Sequence, residues 1–259
     1  MEKIGRSDPL PISVSVVSHG QLPLIVNLMQ DMQASCVGKN FELILTLNVA
    51  EVDVLDTAQF SYPIKIIRNT RPKGFGANHN HAFRVAVGSY FCVVNPDIRF
   101  DSCPFSRLLA GFECPGVGVV APLVLSPEGR VEDSARRFPT PATILSKLFF
   151  RPQLPDYSFQ DGSRMVDWAG GMFMVFPRSV FQNVNGFDER FFLYYEDVDI
   201  CARLSLIDLQ IWVCAEAQVV HHAQRSSHRD LKYMVWHLGS MLRFFMSPVY
   251  RQLKKLHRL

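Results

Sequence analysis

The chain has 259 residues, a length that suits one α/β domain with a small appendage. It is 48% hydrophobic and 20% charged, which marks a globular protein with a sizeable core, and its formal net charge of +3 is too small to argue for a nucleic-acid partner. No uninterrupted apolar run reaches the roughly 18–20 residues that crossing a bilayer requires.

The opening stretch MEKIGRSDPLP lacks the apolar segment of a signal peptide, so a cytoplasmic protein is expected. The cysteines are Cys36, Cys92, Cys103, Cys114, Cys201 and Cys214. None forms a CxxC pair and several lie in apolar runs, which predicts buried free thiols and no zinc site.

Residues 12–17 read as a strand closed by the turn Ser18-His19-Gly20, and Leu24, Leu28 and Met32 predict a helix after Pro23. Strands follow at 41–47 and 64–67, a helix at 77–87 with Ala82, Val85 and Ala86 on its apolar side, and a strand at 90–94. This alternation predicts an α/β fold with a largely parallel sheet flanked by helices. Ligands of such sheets sit beyond the carboxyl ends of the strands. Ser18, His19, Asn48 and Asn95-Pro96-Asp97 all follow strands and should converge there.

The stretch RNTRPKGFGANHN covers residues 68–80. Gly74 and Gly76 bracket Phe75 and are read as letting a ligand approach the backbone. Asn78 and Asn80 offer amides, Arg71 and Lys73 charge. The Lys-Ser/Thr ending of a nucleoside-triphosphatase loop is missing, and a plain turn before a helix is the alternative. Asp97 after the strand YFCVV is either a ligand-binding carboxylate or a helix cap.

A short helix at 104–112 and a strand at 117–120 precede a Pro- and Arg-rich excursion over 126–155. Within it Arg136 and Arg137 are read as surface charge, the alternative being a diphosphate contact. A strand at 172–176, a helical turn opened by Pro177, and the turn signal Asn185-Gly186 come next. From Asp197 onward, Ile200, Leu204 and Ile207 fall on one face of a helix. Asp167, Asp188, Glu189, Glu196, Asp197 and Asp199 are interspersed with Trp168, Phe187, Phe191, Phe192, Tyr194 and Tyr195. Carboxylates in such surroundings have raised pKa values and can act as bases near neutral pH, whereas complementing a helix dipole would need only one of them.

A short strand at 218–220 leads into His221-His222, and residues 230–245 read as a helix. From residue 243 onward Arg243, Arg251, Lys254, Lys255 and Arg258 stand among apolar residues with no acid. This tail suits either an anionic membrane surface or docking on the domain with its basic face in water.

The stretch GGMFMVFPRSVFQNVNGFDERFFLYYEDVDICARL resembles the acceptor-side half of family 2 glycosyltransferases with the GT-A fold, and within them the rhamnosyltransferases that build O-antigen. RNTRPKGFGANHN is similar to the family's NxxxxGFGxxxN segment, and VVHHAQRSS to its strand-His-loop-Ser segment. The resemblance runs from VSVVSHG through WHLGSMLRFF. It implies a GT-A domain over 1–228, with a nucleotide-sugar-binding half at 1–100 and an acceptor-side half at 101–228. A helical basic tail over 229–259 would follow.

It further implies inverting transfer of L-rhamnose from dTDP-β-L-rhamnose to a polyprenyl-diphosphate-linked saccharide, on the inner face of the cytoplasmic membrane. Asp197 would be the base with Glu196 as its rival. The donor would meet Ser18, His19, Asn48, Glu51, Lys73, Gly76, Asn80, Asn95 and Asp97. The acceptor would meet Trp168, Gly170, Asp188 and Glu189. Asp97 and His221 would hold Mg2+ or Mn2+. Two departures stand out: Asn48 occupies a position that is acidic in many members, and Asn95 replaces the first Asp of the DxD metal motif. A catalytically silent nucleotide-sugar-binding scaffold is the alternative function; it would keep the glycine loop and lose the acid pair.

Overall fold

The computed structural model describes residues 11–51, 55–149, 155–222, 231–256 and 258–259. The N-terminal residues 1–10, residues 150–154 of the excursion, the end of VVHHAQRSS, the boundary at 228/229 and Asp230 as a helix start lie outside the described residues.

The elements are β1 (Ile12–Ser18), α1 (Leu22–Ser35), β2 (Phe41–Leu47), β3 (Ile64–Arg68), α2 (Phe75–Val85), β4 (Tyr90–Val94), β5 (Ile98–Arg99), α3 (Phe105–Ala110) and β6 (Val117–Leu125). Then follow β7 (Ala135–Arg136), α4 (Pro141–Phe149), β8 (Arg164–Val166), β9 (Trp168–Ala169), β10 (Phe173–Pro177), α5 (Arg178–Asn183), α6 (Glu196–Leu206), β11 (Gln210–His221), α7 (Leu231–Met246) and α8 (Pro248–Lys255). The main sheet runs β3-β2-β1-β4-β10-β6-β11-β5, with β8 also on β11. Strands β1 to β4, β6 and β11 point one way, while β5, β8 and β10 run against them. The α/β architecture with a mostly parallel sheet is therefore as the pattern predicts.

The sheet is covered on both faces, which explains why β1 is buried along nearly its whole length. Ile12, Val14 and Val16 join Ile25, Leu28, Met29 and Met32 of α1 in one core. The opposite face of β1 is polar and satisfied: Ser13 Oγ donates to Glu42 Oε1 (2.6 Å), and Ser15 Oγ bonds His79 Nδ1 (2.8 Å). The second core joins α2, α5 and α6 to the sheet through Ala82, Phe91, Phe181, Phe187, Ile200 and Leu204.

Two topological features position the site. The chain places β2 and β4 on opposite sides of β1, so a crevice opens at their carboxyl ends. Because β10 runs antiparallel to β4, its start meets the end of β4, and Asn95 N donates to Met172 O (2.8 Å). The acidic half of the chain thereby reaches the carboxyl ends of the parallel strands.

Several expectations are corrected. Val85 faces solvent at 40% exposure while Ala82 and Ala86 are buried, because α2 ends at Val85 and Ala86 turns back onto the sheet. Ile207 is 46% exposed because it lies beyond the last turn of α6. Cys36 and Cys103 form a disulfide with Cα atoms 5.0 Å apart; their separation of 67 residues hides a pairing that packing of α1 beside the loop before α3 creates. Of the free thiols, Cys114 is exposed and Cys92, Cys201 and Cys214 are buried. In the tail, Leu253 of α8 is buried against the core, and Arg258 bonds Ser205 O and pairs with Asp208, so α8 is docked on the domain. Among the described residues no helix is long and apolar enough to cross a membrane.

Candidate active site

The side of the crevice expected to take the donor is built from amides. Asn48 N donates to Ser18 O (2.9 Å), which brings the ends of β1 and β2 together. Asn48 Nδ2 donates to Lys73 O (2.9 Å), and its Oδ1 accepts from Lys73 N (2.8 Å) and Asn69 Nδ2 (2.9 Å). Asn69 Nδ2 also donates to Asn78 Oδ1 (2.7 Å), and Asn78 Nδ2 to Gly74 O (3.0 Å). A carboxylate at 48 could not donate to Lys73 O, so Asn suits this loop. The exposed His19 ring adjoins Asn48 Nδ2 at 3.1 Å, Gly20 N donates to Glu51 Oε1 (3.4 Å), and Lys73 Nζ adjoins His81 Nδ1 (3.3 Å).

The glycines are required by packing within the chain itself. A Cβ on Gly74 would lie 2.6 Å from Phe192 O, and one on Gly76 would lie 2.6 Å from Phe187 Cβ. Their close neighbour is the chain's own acidic loop, to which Phe75 N also donates at Phe192 O (2.8 Å). Asn80 belongs to the same seam: its Oδ1 accepts from Phe187 N (2.9 Å) and its Nδ2 donates to Phe187 O (2.8 Å).

The base candidates open α6. The chain enters that helix through Tyr194 (φ 69°) and Tyr195 (φ 67°), a left-handed pair that is costly for aromatic residues and must be held from outside. The inner face of α7 does so: His237 lies 5.2 and 5.6 Å from the two rings, and Ser240 Oγ donates to Leu193 O (2.9 Å). Asp197 Oδ2 accepts from Gly171 N (3.0 Å) and Oδ1 from Val198 N (2.8 Å), and the side chain is half-buried. Burial raises its pKa; those backbone donors and the charge of Arg136 pull the other way without cancelling it. Glu196 is only 5% exposed, with Oε2 buried and unpartnered. Burial first, and then repulsion by Asp197, push its pKa well above the usual range. Asp199 pairs with Arg203 (2.7 Å), which donates to Val184 O and Gly186 O and so supports the loop.

Asp97 lies beyond β4 with His221 Nε2 at 3.3 Å from its Oδ2, because β5 pairs with β11 in a register that sets His221 opposite Ile98. His221 Nδ1 adjoins Glu132 Oε2 at 2.8 Å. Burial alone would lower the histidine pKa, but the hydrogen bonds and charges of the two carboxylates outweigh it and bring it to about 9. Asp97 and His221, the pair expected to share a cation, therefore lie side by side. Asp97 Oδ1 remains buried without a partner, a donor that fits a cation. Among the described residues no group of three or more potential metal ligands exists. Any cation here would therefore take most of its ligands from substrate phosphates and water, as Mg2+ commonly does.

On the side expected to take the acceptor, Trp168 Nε1 donates to Arg137 O (3.0 Å), the Arg136 guanidinium lies 5.8 Å from the Trp168 ring, and Gly170 N donates to Ser134 O (2.7 Å). Asp188 and Glu189 are not brought to this group. Asp188 pairs with Arg190 (2.6 Å), Asn80 Nδ2 donates to Glu189 (3.1 Å), and all four line a separate cavity of about 510 Å³ that excludes Asp197 and Trp168. Sequence reasoning missed Glu132, an acid in a Pro-Gly turn segment with no distinguishing signal, and discounted Arg136, whose only signal was the Arg-Arg pair.

A parallel half joined by an antiparallel strand to an acid-bearing helix is the architecture of the GT-A fold. Solved structures share this fold. A mannosyltransferase from Pyrobaculum calidifontis, solved with GDP-Man and Mn2+, superimposes with a TM-score of 0.63 at 14% identity, over 98% of this chain and 69% of that one. Staphylococcus aureus TarS (1–349) with UDP-GlcNAc gives 0.64 at 12% identity, over 92% and 67%.

The chain belongs to glycosyl transferase family 2, whose model matches residues 16–181. It is 26% identical over 246 residues to the rhamnosyltransferase WbbL of Escherichia coli K12, covering 90% of this chain and 92% of that protein. It is 34% identical over 155 residues to an N-acetylglucosaminyl-diphospho-decaprenol L-rhamnosyltransferase of Mycobacterium tuberculosis H37Rv. That match covers 56% of this chain and 50% of the relative, so only half of the mycobacterial protein is represented.

Proposed function

We propose that this glycosyltransferase inverts the donor's anomeric centre and moves L-rhamnose from dTDP-β-L-rhamnose to a hydroxyl of a polyprenyl-diphosphate-linked saccharide, in O-antigen or related polysaccharide assembly. It works on the inner face of the cytoplasmic membrane. The names of the rhamnosyltransferase relatives support the sugar and the acceptor class. The observation that carries the chemistry is the unequal pair at the start of α6: Asp197 partly exposed and held by Gly171 N, Glu196 buried.

In this reading the acceptor hydroxyl attacks the anomeric carbon from the face opposite the diphosphate. The new C–O bond forms as the bond to the diphosphate breaks, the leaving dTDP takes the electron pair, and the hydroxyl proton passes to the Asp197 carboxylate. His19, Glu51, Lys73 and Asp97 meet the donor, while Ser18, Asn48, Gly76, Asn80 and Asn95 shape its wall. Trp168 offers an apolar face to the acceptor sugar, with Gly170 beside it and Arg136 near its diphosphate. Mg2+ or Mn2+, held by Asp97 with His221, would neutralise charge developing on the leaving diphosphate. The domain spans 1–228 and the helical tail 229–259.

The test is acceptor-dependent release of dTDP, together with ligand-induced stabilisation across dTDP-, UDP- and GDP-sugars; saturation at 100 times Kd adds about 2.7 kcal/mol. Asp197→Asn should lose about 10²–10⁴-fold in turnover and keep donor affinity. Near-normal turnover in Asp197→Asn with collapse in Glu196→Gln would transfer the role to Glu196. Donor binding without any transfer would favour the silent scaffold.

A further inference from the structure

α7 presents two unlike faces. The inner one holds the loop before Asp197: Trp236 stacks on Phe192 with centroids 4.7 Å apart, Ser240 bonds Leu193 O, and Phe244 is fully buried. The outer face carries Leu231, Met234, Val235, Leu238, Leu242 and Met246, each 47–77% exposed. At roughly 100° per residue these six fall within an arc of about 120° opposite Ser240. A helix packed on one side normally turns polar residues to water on the other, so a continuous apolar outer stripe marks a surface that meets a partner.

The charge around the stripe says which partner. Lys232 and Arg243 stand on α7 itself, and α8 adds the exposed Arg251, Lys254 and Lys255. From Leu231 to Leu259 the chain has no Asp or Glu. Two copies of this face placed together would bring like charges into contact, whereas anionic headgroups would neutralise them.

We propose that the outer face of α7 is the surface by which the enzyme docks on a bilayer containing anionic lipid. The proposal rests on the reading that the acceptor is lipid-linked. It reassigns the apolar contact from the end of the chain to α7: Leu253 of α8 is turned into the core, leaving α8 to supply charge. Its consequence for the reaction is geometric. The helix that touches the lipid also holds the segment 193–195 that leads into Asp197, so docking sets the base beside the surface from which a polyprenyl diphosphate projects.

The experiment measures co-sedimentation of the full chain with phosphatidylethanolamine/phosphatidylglycerol vesicles and with phosphatidylcholine vesicles. Wild type should bind the anionic vesicles, more weakly as salt rises. Leu238→Glu with Leu242→Glu should lower partitioning about tenfold or more, since both buried apolar area and charge attraction are lost. Its melting temperature and its turnover on a short-chain, water-soluble acceptor should stay unchanged. Should the Glu pair lower the melting temperature, Leu238→Ser with Leu242→Ser gives the same reading with smaller perturbation. Absence of wild-type binding, or equal binding by the variants, overturns the proposal. So does a wild-type dimer by light scattering that the variants convert to monomer, which would assign the face to a second copy. If vesicle binding responds as expected but no sugar is transferred, the docking face stands and the proposed reaction fails.

Discussion

Glu196 and Asp197 are adjacent acids with different surroundings, and the difference bears on activity against pH. Both pKa values are raised, chiefly by burial, but Asp197 has more backbone donors favouring its ionised form, Gly171 and Val198 among them, and the positive charge of Arg136 acts on it as well. A base must be deprotonated, so turnover should fall as pH falls through the raised pKa of Asp197. Arg136→Gln removes positive charge that lowers this pKa. The acid limb of kcat/KM should therefore move to higher pH, and a pH profile of the folded variant checks it; an unmoved limb would show that Arg136 does not act on the base.

At the scale of elements, the glycine loop is a packing device between α2 and the acidic loop. Gly74→Ala would drive a methyl group to 2.6 Å from Phe192 O and push apart the seam that includes the bond from Phe75 N. A cost of about 1–3 kcal/mol is expected by urea unfolding, with reduced turnover because the loop leads into Asp197. Gly239 in α7 is the control: nothing lies within 4 Å of its added Cβ. There, Gly239→Ala should stabilise by about 0.5–1 kcal/mol, the helix preference for alanine acting alone.

For the whole molecule, Glu42 ties the parallel half together from β2. It accepts from Ser13 Oγ on β1 and from Val87 N, and it pairs with Lys65 on β3 at 2.8 Å. Burial pushes its pKa up most strongly as a single cause, yet the combined hydrogen bonds and the Lys65 charge leave it lowered. A carboxylate with a lowered folded pKa stabilises above its unfolded value near 4.5 and loses that contribution as pH falls through the folded one. Glu42→Ala should cost about 2–3 kcal/mol near neutral pH, since buried donors lose their acceptor, and the gap to wild type should narrow in acid. Urea midpoints at the two pH values test both statements.

The sequence by itself determined the parallel strands, the helix at Asp197 and the turn at Asn185-Gly186, because each is written in local periodicity or turn chemistry. Both turn residues do have positive φ, 58° and 63°. It also determined the family, through long contiguous motifs. Tertiary structure decided what depends on contacts far apart in the chain. The neighbour of Gly76 is Phe187, the partners of His221 are Asp97 and Glu132, and Cys36 meets Cys103. The loss of Asp188 and Glu189 from the acceptor group has the same origin, since spacing along a loop does not say which cavity a side chain enters. Burial of Glu196 against partial exposure of Asp197 is likewise invisible in two adjacent letters, because it depends on how α6, entered through the left-handed Tyr194 and Tyr195, packs against the rest of the fold.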